Sequence, residues 1–242
     1  MTIWSVLFSN VLSFLIQLAA RSPFPLVDMK LAALDRSMHF ETAAIAQFVA
    51  KLPTFEFALT LAYSSIPVLV FAAILLPPFY GRTGWSQRYL AAVVVATIFT
   101  SALFAKWPAC GPWTVEKLQS TSEQTAVTAR LLLLKSRPFA AIDLNHTALV
   151  SFPSFHIVLA ILSAMALNGL PRIRIAAWIL AIPTCISTIT TGWHYGVDVL
   201  GGFVVAAASW WFASLLVKVE PKEEAPDHLY DPVSESAKDL AA

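Results

Sequence analysis

Two histidines and an aspartate in the second half of the chain have the residue types and spacing that phosphoryl transfer requires. His156 follows Pro153-Ser154-Phe155, and His194 precedes Asp198 by four residues. A carboxylate at that spacing shares a helix face with the imidazole, so it can hold one tautomer of His194 and stabilise its cation. Two histidines and an aspartate beside basic residues at a membrane surface make a phosphoryl-transfer site plausible.

Basic residues in the preceding hydrophilic stretch could bind the anion. Arg130, Lys135 and Arg137 lie there, and a guanidinium can clamp a phosphate through paired hydrogen bonds. Both histidines are predicted near helix starts, where unpaired N–H groups and the helix dipole favour an anion. Pro153-Ser154-Phe155-His156 reads as a helix start with Ser154 or Pro153 near the cap, so the basic residues and the N–H groups of such a start could together bind an anion.

The composition predicts which elements must position these residues. The chain has 242 residues, of which 57% are hydrophobic and 13% charged, whereas a soluble domain carries about 25% charged residues. The mean hydropathy is +0.68, so lipid must cover part of the chain. We predict an all-α polytopic membrane protein with about six transmembrane helices. The predicted segments are Met1–Ala20, Ala58–Phe79, Tyr89–Ala105, His156–Pro171, Ile175–Trp193 and Val199–Val217.

The remaining segments divide into a surface helix and a tail. Met1–Ala20 could instead be a signal peptide, but it lacks a positively charged start, which favours an uncleaved helix. Pro25–Lys51 has apolar residues at helical spacing between charges, which predicts an amphipathic helix on the membrane surface. We therefore predict a membrane domain over residues 1–218 and a polar, disordered cytoplasmic tail over 219–242.

The predicted topology brings the two histidines to one side of the membrane. They are 38 residues apart, which is the length of one helix, a tight turn at Leu170–Arg174 and a returning helix. Short-loop arginines and the start of the tail would be cytoplasmic by the positive-inside rule. The opposite side also carries basic residues, among them Lys106 and Lys117, so the rule determines the orientation only weakly. We expect a bacterial inner membrane protein whose active site faces away from the cytoplasm.

Charge and cysteine content exclude other classes. The net charge is +1 without a basic stripe, so nucleic acid is not an expected partner. Cys110 and Cys185 are too few for a disulfide framework or a metal site, and no cofactor is expected. The expected partners are the bilayer and a lipid phosphate or phospholipid substrate, and the oligomeric state stays open.

Three motifs resemble those of the type 2 phosphatidic acid phosphatase superfamily. They are Arg130 with Arg137-Pro138, then Pro153-Ser154-Phe155-His156, then His194-Tyr195-Gly196-Val197-Asp198. Phe152-Pro153-Ser154-Phe155-His156 and Gly192-Trp193-His194-Tyr195 look most like the inositol-phosphorylceramide-synthase-like branch. The sequence differs from the usual motifs in having Arg130 for lysine, Phe155 for glycine, and Ser187-Thr188 in place of a serine-arginine pair.

The resemblance implies a six-helix membrane fold and a phosphohistidine mechanism without metal. His194 would attack phosphorus, Asp198 would orient it, and His156 would protonate the leaving alcohol. Arg137, with Arg130 or Lys135 and Ser154, would hold the phosphate oxygens. Water as acceptor gives a phosphatase and a lipid hydroxyl gives a phosphotransferase.

Other classes of protein remain open at this point. A histidine at a helix end is often structural, and a charged loop is often only solvated, so the chain could be an inactive transporter or scaffold protein. Its segments do not show the paired broken helices of many transporters. The two histidines could also ligate a haem, although no further cofactor motif accompanies them.

Overall fold

The computed structural model describes residues 2–116, 118–137, 139–142 and 149–219, with side chains described from residue 10 onward. This part of the chain forms ten α-helices and one 3-10 turn, without strands, as the all-α prediction requires. The predicted tail beyond residue 219 lies outside the described residues. The helices are α1 (Thr2–Ala20), α2 (Asp28–Ser37), α3 (Thr42–Val49), α4 (Pro53–Ser64), α5 (Ile66–Phe79), α6 (Thr83–Lys106), α7 (Ser122–Ser136), α8 (Phe155–Leu167), α9 (Arg174–Thr190) and α10 (Gly196–Leu216), and the 3-10 turn is Pro112–Thr114.

The centre of the bundle is α8, which packs against α5, α6, α9 and α10. Most of its residues are buried, including Ala160, Leu162 and Ala164. Small residues let neighbouring helices approach closely. The start of α8 lies close against α10, where a Cβ on Gly202 would lie 2.8 Å from both the Ser154 carbonyl oxygen and the Ile157 Cβ.

Among the described residues, two helices, α6 and α10, are long and apolar enough to cross a membrane. A third span would result if α3 and α4, which meet at a bend of 115°, count as one broken span. The apolar helices indicate an integral membrane protein. By length and composition, however, the described residues contain two or three candidate spans and not the six that the sequence predicts. The fourth predicted segment, His156–Pro171, is a helix of only 13 residues, or about 20 Å.

The predicted surface helix over Pro25–Lys51 is two helices, α2 and α3, rather than one. His39 has φ 55°, in the left-handed region, where a helix cannot continue. The Phe40 N–H donates to the Asp35 carbonyl at 2.9 Å and the His39 N–H to the Arg36 carbonyl at 3.1 Å, which closes the end of α2. The acidic side chains of α2, Asp28 and Asp35, are buried, and exposed apolar residues include Met29, Leu34 and Met38.

The second predicted segment is divided at Ser65 into α4 and α5. Pro67 has no N–H to donate to the preceding turn, and its ring clashes with a straight helix at this point. The carbonyl of Ser65 accepts a hydrogen bond from the Val68 N–H at 2.9 Å, in the first turn of α5. The break directly follows Tyr63 and Ser64. The position of the Tyr63 side chain therefore depends on the conformation at this break.

Candidate active site

His194 lies in the turn between α9 and α10 rather than inside a helix. Gly192 enters this turn with φ 72°, a conformation that glycine adopts without strain. The His194 N–H donates to the Thr188 carbonyl at 3.2 Å, so the turn is tied to the last turns of α9. The residue is only 2% exposed, and its orientation is therefore fixed by packing and hydrogen bonds.

The tautomer of His194 follows from the two groups that face its Nδ1 atom. The Ser151 carbonyl oxygen lies at 3.0 Å and Asp198 Oδ2 at 3.4 Å. Both are acceptors, so Nδ1 must carry the proton. The lone pair then sits on Nε2, which is the atom a nucleophilic histidine needs.

Asp198 is completely buried in the first turn of α10. Besides facing the His194 ring, its Oδ2 accepts the Ser151 hydroxyl at 2.8 Å and the Tyr195 N–H at 2.9 Å. Its other oxygen, Oδ1, is buried and has no partner in the described part of the chain. A carboxylate held this way can stabilise positive charge on the neighbouring imidazole as it forms.

His156 stands opposite His194, as the sequence predicted. The ring centroids are 6.0 Å apart with an interplanar angle of 61°. Tyr63 stacks on the His156 ring with the centroids 4.5 Å apart, and its hydroxyl lies 3.5 Å from Nδ1. The two imidazoles come from α8 and from the turn before α10, so a reacting group bound between them would meet both.

Ser154 is the N-cap of α8, in agreement with the sequence prediction for this position. Its hydroxyl accepts the Ile157 N–H at 3.5 Å, and its own N–H donates to the Asp198 carbonyl at 3.0 Å. The second bond joins the start of α8 directly to the start of α10. Ser154 is fully buried, so it holds the two helix starts together beside the histidines.

The two helix starts differ in the donors that they leave open for an anion. At α10, the N–H groups of Gly196 and Val197 donate to the Asp35 carboxylate at 2.7 and 2.8 Å. At α8, the N–H groups of Phe155 and His156 bind no acceptor among the described residues. The expected contact with phosphate through backbone N–H groups is therefore possible at α8 but already taken at α10.

The predicted phosphate-binding cations have other contacts in this structure. A guanidinium nitrogen of Arg130 donates to Gln17 Oε1 at 2.7 Å and to the Ala141 carbonyl at 2.5 Å. Lys135 Nζ donates to the Ser22 carbonyl at 3.1 Å. Arg137 is exposed at the end of α7.

The direction of α7 separates Arg137 from the histidines. Near the start of the helix, Gln124 Nε2 lies 3.5 Å from the carbonyl oxygen of Gly192, in the His194 turn. Arg137 is 13 residues further along, or about 20 Å of helix. Phosphate binding by these cations therefore stays a prediction.

Four residues near the histidines were not among the predicted site residues. Ser151 contacts both His194 and Asp198, and Tyr63 contacts His156. Asp28 and Asp35 come from α2 and reach Tyr195 and the start of α10. The two aspartates are seven residues apart and so share a helix face with Leu31, a spacing that could have indicated their role. Asp35 and Tyr63 also lie in segments with a looser likeness to the family.

Comparison with known families agrees with this arrangement. The profile of the PAP2 superfamily matches residues 29–212, which is more than half of the chain. The chain belongs to the PAP2 superfamily. Membership supports phosphatase or phosphotransferase activity on a phosphorylated substrate. Searches of curated proteins and of solved structures return no match for this PAP2 member.

Proposed function

We propose that this PAP2 member is a metal-independent membrane enzyme that cleaves or transfers a phosphoryl-containing headgroup of a lipid through a phosphohistidine intermediate. The observation that carries the proposal is the hydrogen bonding of His194. Its Nδ1 faces the Ser151 carbonyl at 3.0 Å and the Asp198 carboxylate at 3.4 Å, which leaves the lone pair on Nε2. The geometry is that of an activated nucleophile with its orienting group.

The proposed reaction has two steps. The Nε2 lone pair of His194 attacks phosphorus, the bond from phosphorus to the leaving oxygen breaks, and His156 gives that oxygen a proton. Asp198 stabilises the positive charge on the phosphorylated imidazole. In the second step an acceptor hydroxyl attacks phosphorus, His156 takes its proton, and the bond to Nε2 breaks. Water as acceptor gives hydrolysis, and a lipid hydroxyl gives transfer.

Phosphate binding is proposed for the open end of α8 and for the cations of α7. The N–H groups of Phe155 and His156 point their positive dipole ends out of the helix start that Ser154 caps. Arg137 has an exposed guanidinium, while Arg130 and Lys135 hold backbone carbonyls. A phosphate between the histidines would be held by the helix start. Arg130 or Lys135 would reach it only by releasing its carbonyl partner, and Arg137 only by moving from its place about 20 Å along α7 from the Gln124 contact with the His194 turn.

The fine assignment to the inositol-phosphorylceramide-synthase-like branch rests on two sequence strings. They are Phe152-Pro153-Ser154-Phe155-His156 and Gly192-Trp193-His194-Tyr195. Ser187 and Thr188, which replace the usual serine-arginine pair, are fully buried. Without that arginine one phosphate clamp is missing, which favours a phosphotransferase over a simple lipid phosphatase within this proposal.

We propose six membrane spans, formed by α1, by α4 and α5 together, and by α6, α8, α9 and α10. The outer face of α9 supports this proposal. Four exposed isoleucines lie along it at helical spacing, which is the pattern of a helix that faces lipid. They are Ile175, Ile179, Ile182 and Ile186. The proposed location is a bacterial inner membrane, with the histidines on the non-cytoplasmic face.

The first experiment compares two matched histidine substitutions in detergent-purified protein. We expect His194→Asn to lower turnover at least about 1,000-fold, because removing a nucleophile leaves only binding and electrostatic effects. His39→Asn is the control, since His39 is exposed and asparagine tolerates its positive φ. Phosphate release is measured with a panel of lipid phosphates, and headgroup transfer with phosphatidylinositol and a ceramide or diacylglycerol acceptor.

The same assay separates the parts of the proposal. Release of phosphate that depends on His194 means a phosphatase, and transfer without release means a phosphotransferase. Full turnover by the folded His194→Asn variant would contradict the nucleophile assignment. Activity lost in chelator and restored by one metal ion would contradict the metal-independent mechanism.

A further inference from the structure

We infer that Asp35, on α2, is a positioning residue that holds the start of α10, and with it the His194 turn, in the reactive geometry. The expected effect on turnover rests on the proposed function, and the expected effect on the stability of the α10 start rests on the structure alone. Asp35 does not touch the histidines. It acts through Gly196 and Val197, which lie two and three residues after His194.

Both oxygens of the Asp35 carboxylate accept short hydrogen bonds. Oδ2 accepts the Gly196 N–H at 2.7 Å and the Thr42 hydroxyl at 2.9 Å, and Oδ1 accepts the Val197 N–H at 2.8 Å. The residue is 2% exposed. The bonds join elements 161 residues apart in the chain, so they are tertiary contacts rather than a local cap.

The first N–H groups of a helix have no partner inside the helix. In α10 these donors are satisfied from outside, by a carboxylate whose charge also complements the positive end of the helix dipole. The Asp198 carboxylate lies one residue beyond Val197 and bonds back to the Tyr195 N–H. A shift of the α10 start would therefore change the distance between Asp198 and His194, which is 3.4 Å here.

A second acidic residue on the same face of α2 fixes the other side of the turn. Asp28 accepts the backbone N–H groups of Cys110 and Gly111 and the hydroxyl of Tyr195, the last at 3.2 Å. Burial, followed by Asp28 and Asp198, raises the pKa of Tyr195, so its phenol stays neutral and keeps donating. Through Asp28 and Asp35, α2 contacts the two residues that directly follow His194.

The geometry predicts that asparagine cannot replace Asp35. Its side chain has the same shape but offers one acceptor oxygen, while its NH₂ group would face a backbone N–H as donor to donor. A buried N–H of α10 would then lose its partner. Thr42→Val removes only the hydroxyl that links Asp35 to α3 and leaves both bonds to α10.

The experiment compares Asp35→Asn with two controls in the full-length, detergent-purified protein. Glu116→Gln is the same carboxylate-to-amide change on a residue that pairs with Arg36 at 3.3 Å, next to Asp35 in sequence. Thr42→Val is the second control. Steady-state kinetics use the substrate that the wild-type protein accepts, and amide hydrogen exchange is followed in peptides that contain Gly196 and Val197.

We expect Asp35→Asn to lower kcat at least 10-fold with KM changed less than about twofold, and to speed exchange at Gly196 and Val197. Both controls should keep wild-type values. Unchanged exchange and unchanged kcat in Asp35→Asn would overturn the inference. An equal loss of kcat in Thr42→Val would also overturn it, because Asp35 would then act by holding α3.

Failure of the proposed function is distinguishable from failure of this inference. If the wild-type protein turns over none of the offered substrates, the proposed function fails, and exchange alone decides the role of Asp35. Faster exchange at Gly196 and Val197 in Asp35→Asn than in Glu116→Gln supports the positioning role. Equal exchange in the two variants overturns it.

Discussion

At the scale of single residues, Ser151 orients the His194 imidazole through its backbone as well as through its side chain. Its backbone carbonyl lies 3.0 Å from His194 Nδ1, and its hydroxyl donates to Asp198 Oδ2 at 2.8 Å. One residue therefore sets both the tautomer of the imidazole and the direction of the carboxylate. Because the carbonyl belongs to the backbone, substituting Ser151 changes only half of this arrangement.

The meeting of the candidate side chains was predictable from the sequence, whereas the backbone groups around them were not. His156, His194 and Asp198 follow from residue type, from spacing of four, and from the length of two helices and a turn. The structure brings these side chains together, with the two imidazole centroids 6.0 Å apart and His194 Nδ1 3.4 Å from Asp198 Oδ2, and their catalytic roles stay a prediction. A backbone acceptor such as the Ser151 carbonyl has no signature in the sequence, since every residue has a carbonyl group.

A substitution at Arg137 tests the predicted phosphate site. We expect Arg137→Lys to lower kcat/KM about 30-fold, equivalent to about 2 kcal/mol, because lysine cannot form the paired hydrogen bonds of a guanidinium. Arg172→Lys is the matched control, since Arg172 is an equally exposed arginine on the turn between α8 and α9. Steady-state kinetics of the two variants check this prediction.

An unchanged rate in Arg137→Lys would show that Arg137 is a passive surface residue. That result would fit its exposed position, about 20 Å along α7 from the contact of Gln124 with the His194 turn. Phosphate binding would then rest on the open N–H groups at the start of α8.

At the scale of elements, the start of α8 and the start of α10 form one structural unit. The Ser154 N–H bonds to the Asp198 carbonyl at 3.0 Å, and Gly202 lets the two backbones lie in contact one turn further along. A side chain at Gly202 would have to displace the α8 backbone rather than a flexible group. The distance between the two histidines therefore depends on a residue that touches neither of them.

Gly202→Ala should separate α8 from α10 and lower both stability and activity. A Cβ at 2.8 Å from the Ser154 carbonyl oxygen is overpacked, which costs about 1–3 kcal/mol. We expect a fall in Tm of about 5 °C together with a lower kcat. Thermal unfolding in detergent, read alongside turnover, checks both effects.

Gly84→Ala is the matched control for this substitution. Its Cβ would have no neighbour closer than 3.7 Å, so alanine in α6 should be neutral or stabilising by up to about 1 kcal/mol. Equal effects of the two substitutions would contradict the close approach at Gly202.

Elements were predicted well where hydropathy decides and poorly where a local conformation does. The third and sixth predicted segments, Tyr89–Ala105 and Val199–Val217, correspond to α6 and α10. Each segment ends within one residue of the C-terminal end of its helix. The division of residues 25–51 was missed because it depends on the left-handed φ of His39. Pro67 did signal the break at Ser65, but hydropathy runs through it without interruption.

At the scale of the whole molecule, the proposed six spans place the histidines and the α8–α9 turn on opposite sides of the bilayer. The Leu170–Arg174 turn follows a helix that begins beside the active site. Ser120, which is exposed, precedes α7 and therefore belongs to the face that carries His194. The six-span topology therefore places Ser120 and the α8–α9 turn on opposite sides of the membrane.

Cysteine labelling tests that topology in intact cells. In a background with Cys110 and Cys185 replaced by serine, we expect Ser120→Cys to react with a membrane-impermeant maleimide added outside. Arg172→Cys should react only after the cells are permeabilised. Labelling of both positions from the same side would contradict the six-span arrangement.

The bond from Asp35 to Gly196 also has a consequence for the order in which the protein is made. Its two partners are 161 residues apart, and a ribosome adding about 5–20 residues per second needs about 10–30 s to travel from one to the other. During that interval the early carboxylate has no helix start to bind. The contacts of Asp35 with α10 can therefore form only after α10 has been synthesised, whereas the contacts of Asp28 with Cys110 and Gly111 can already hold α2 in place. The His194 turn takes its final geometry only in the second of these stages.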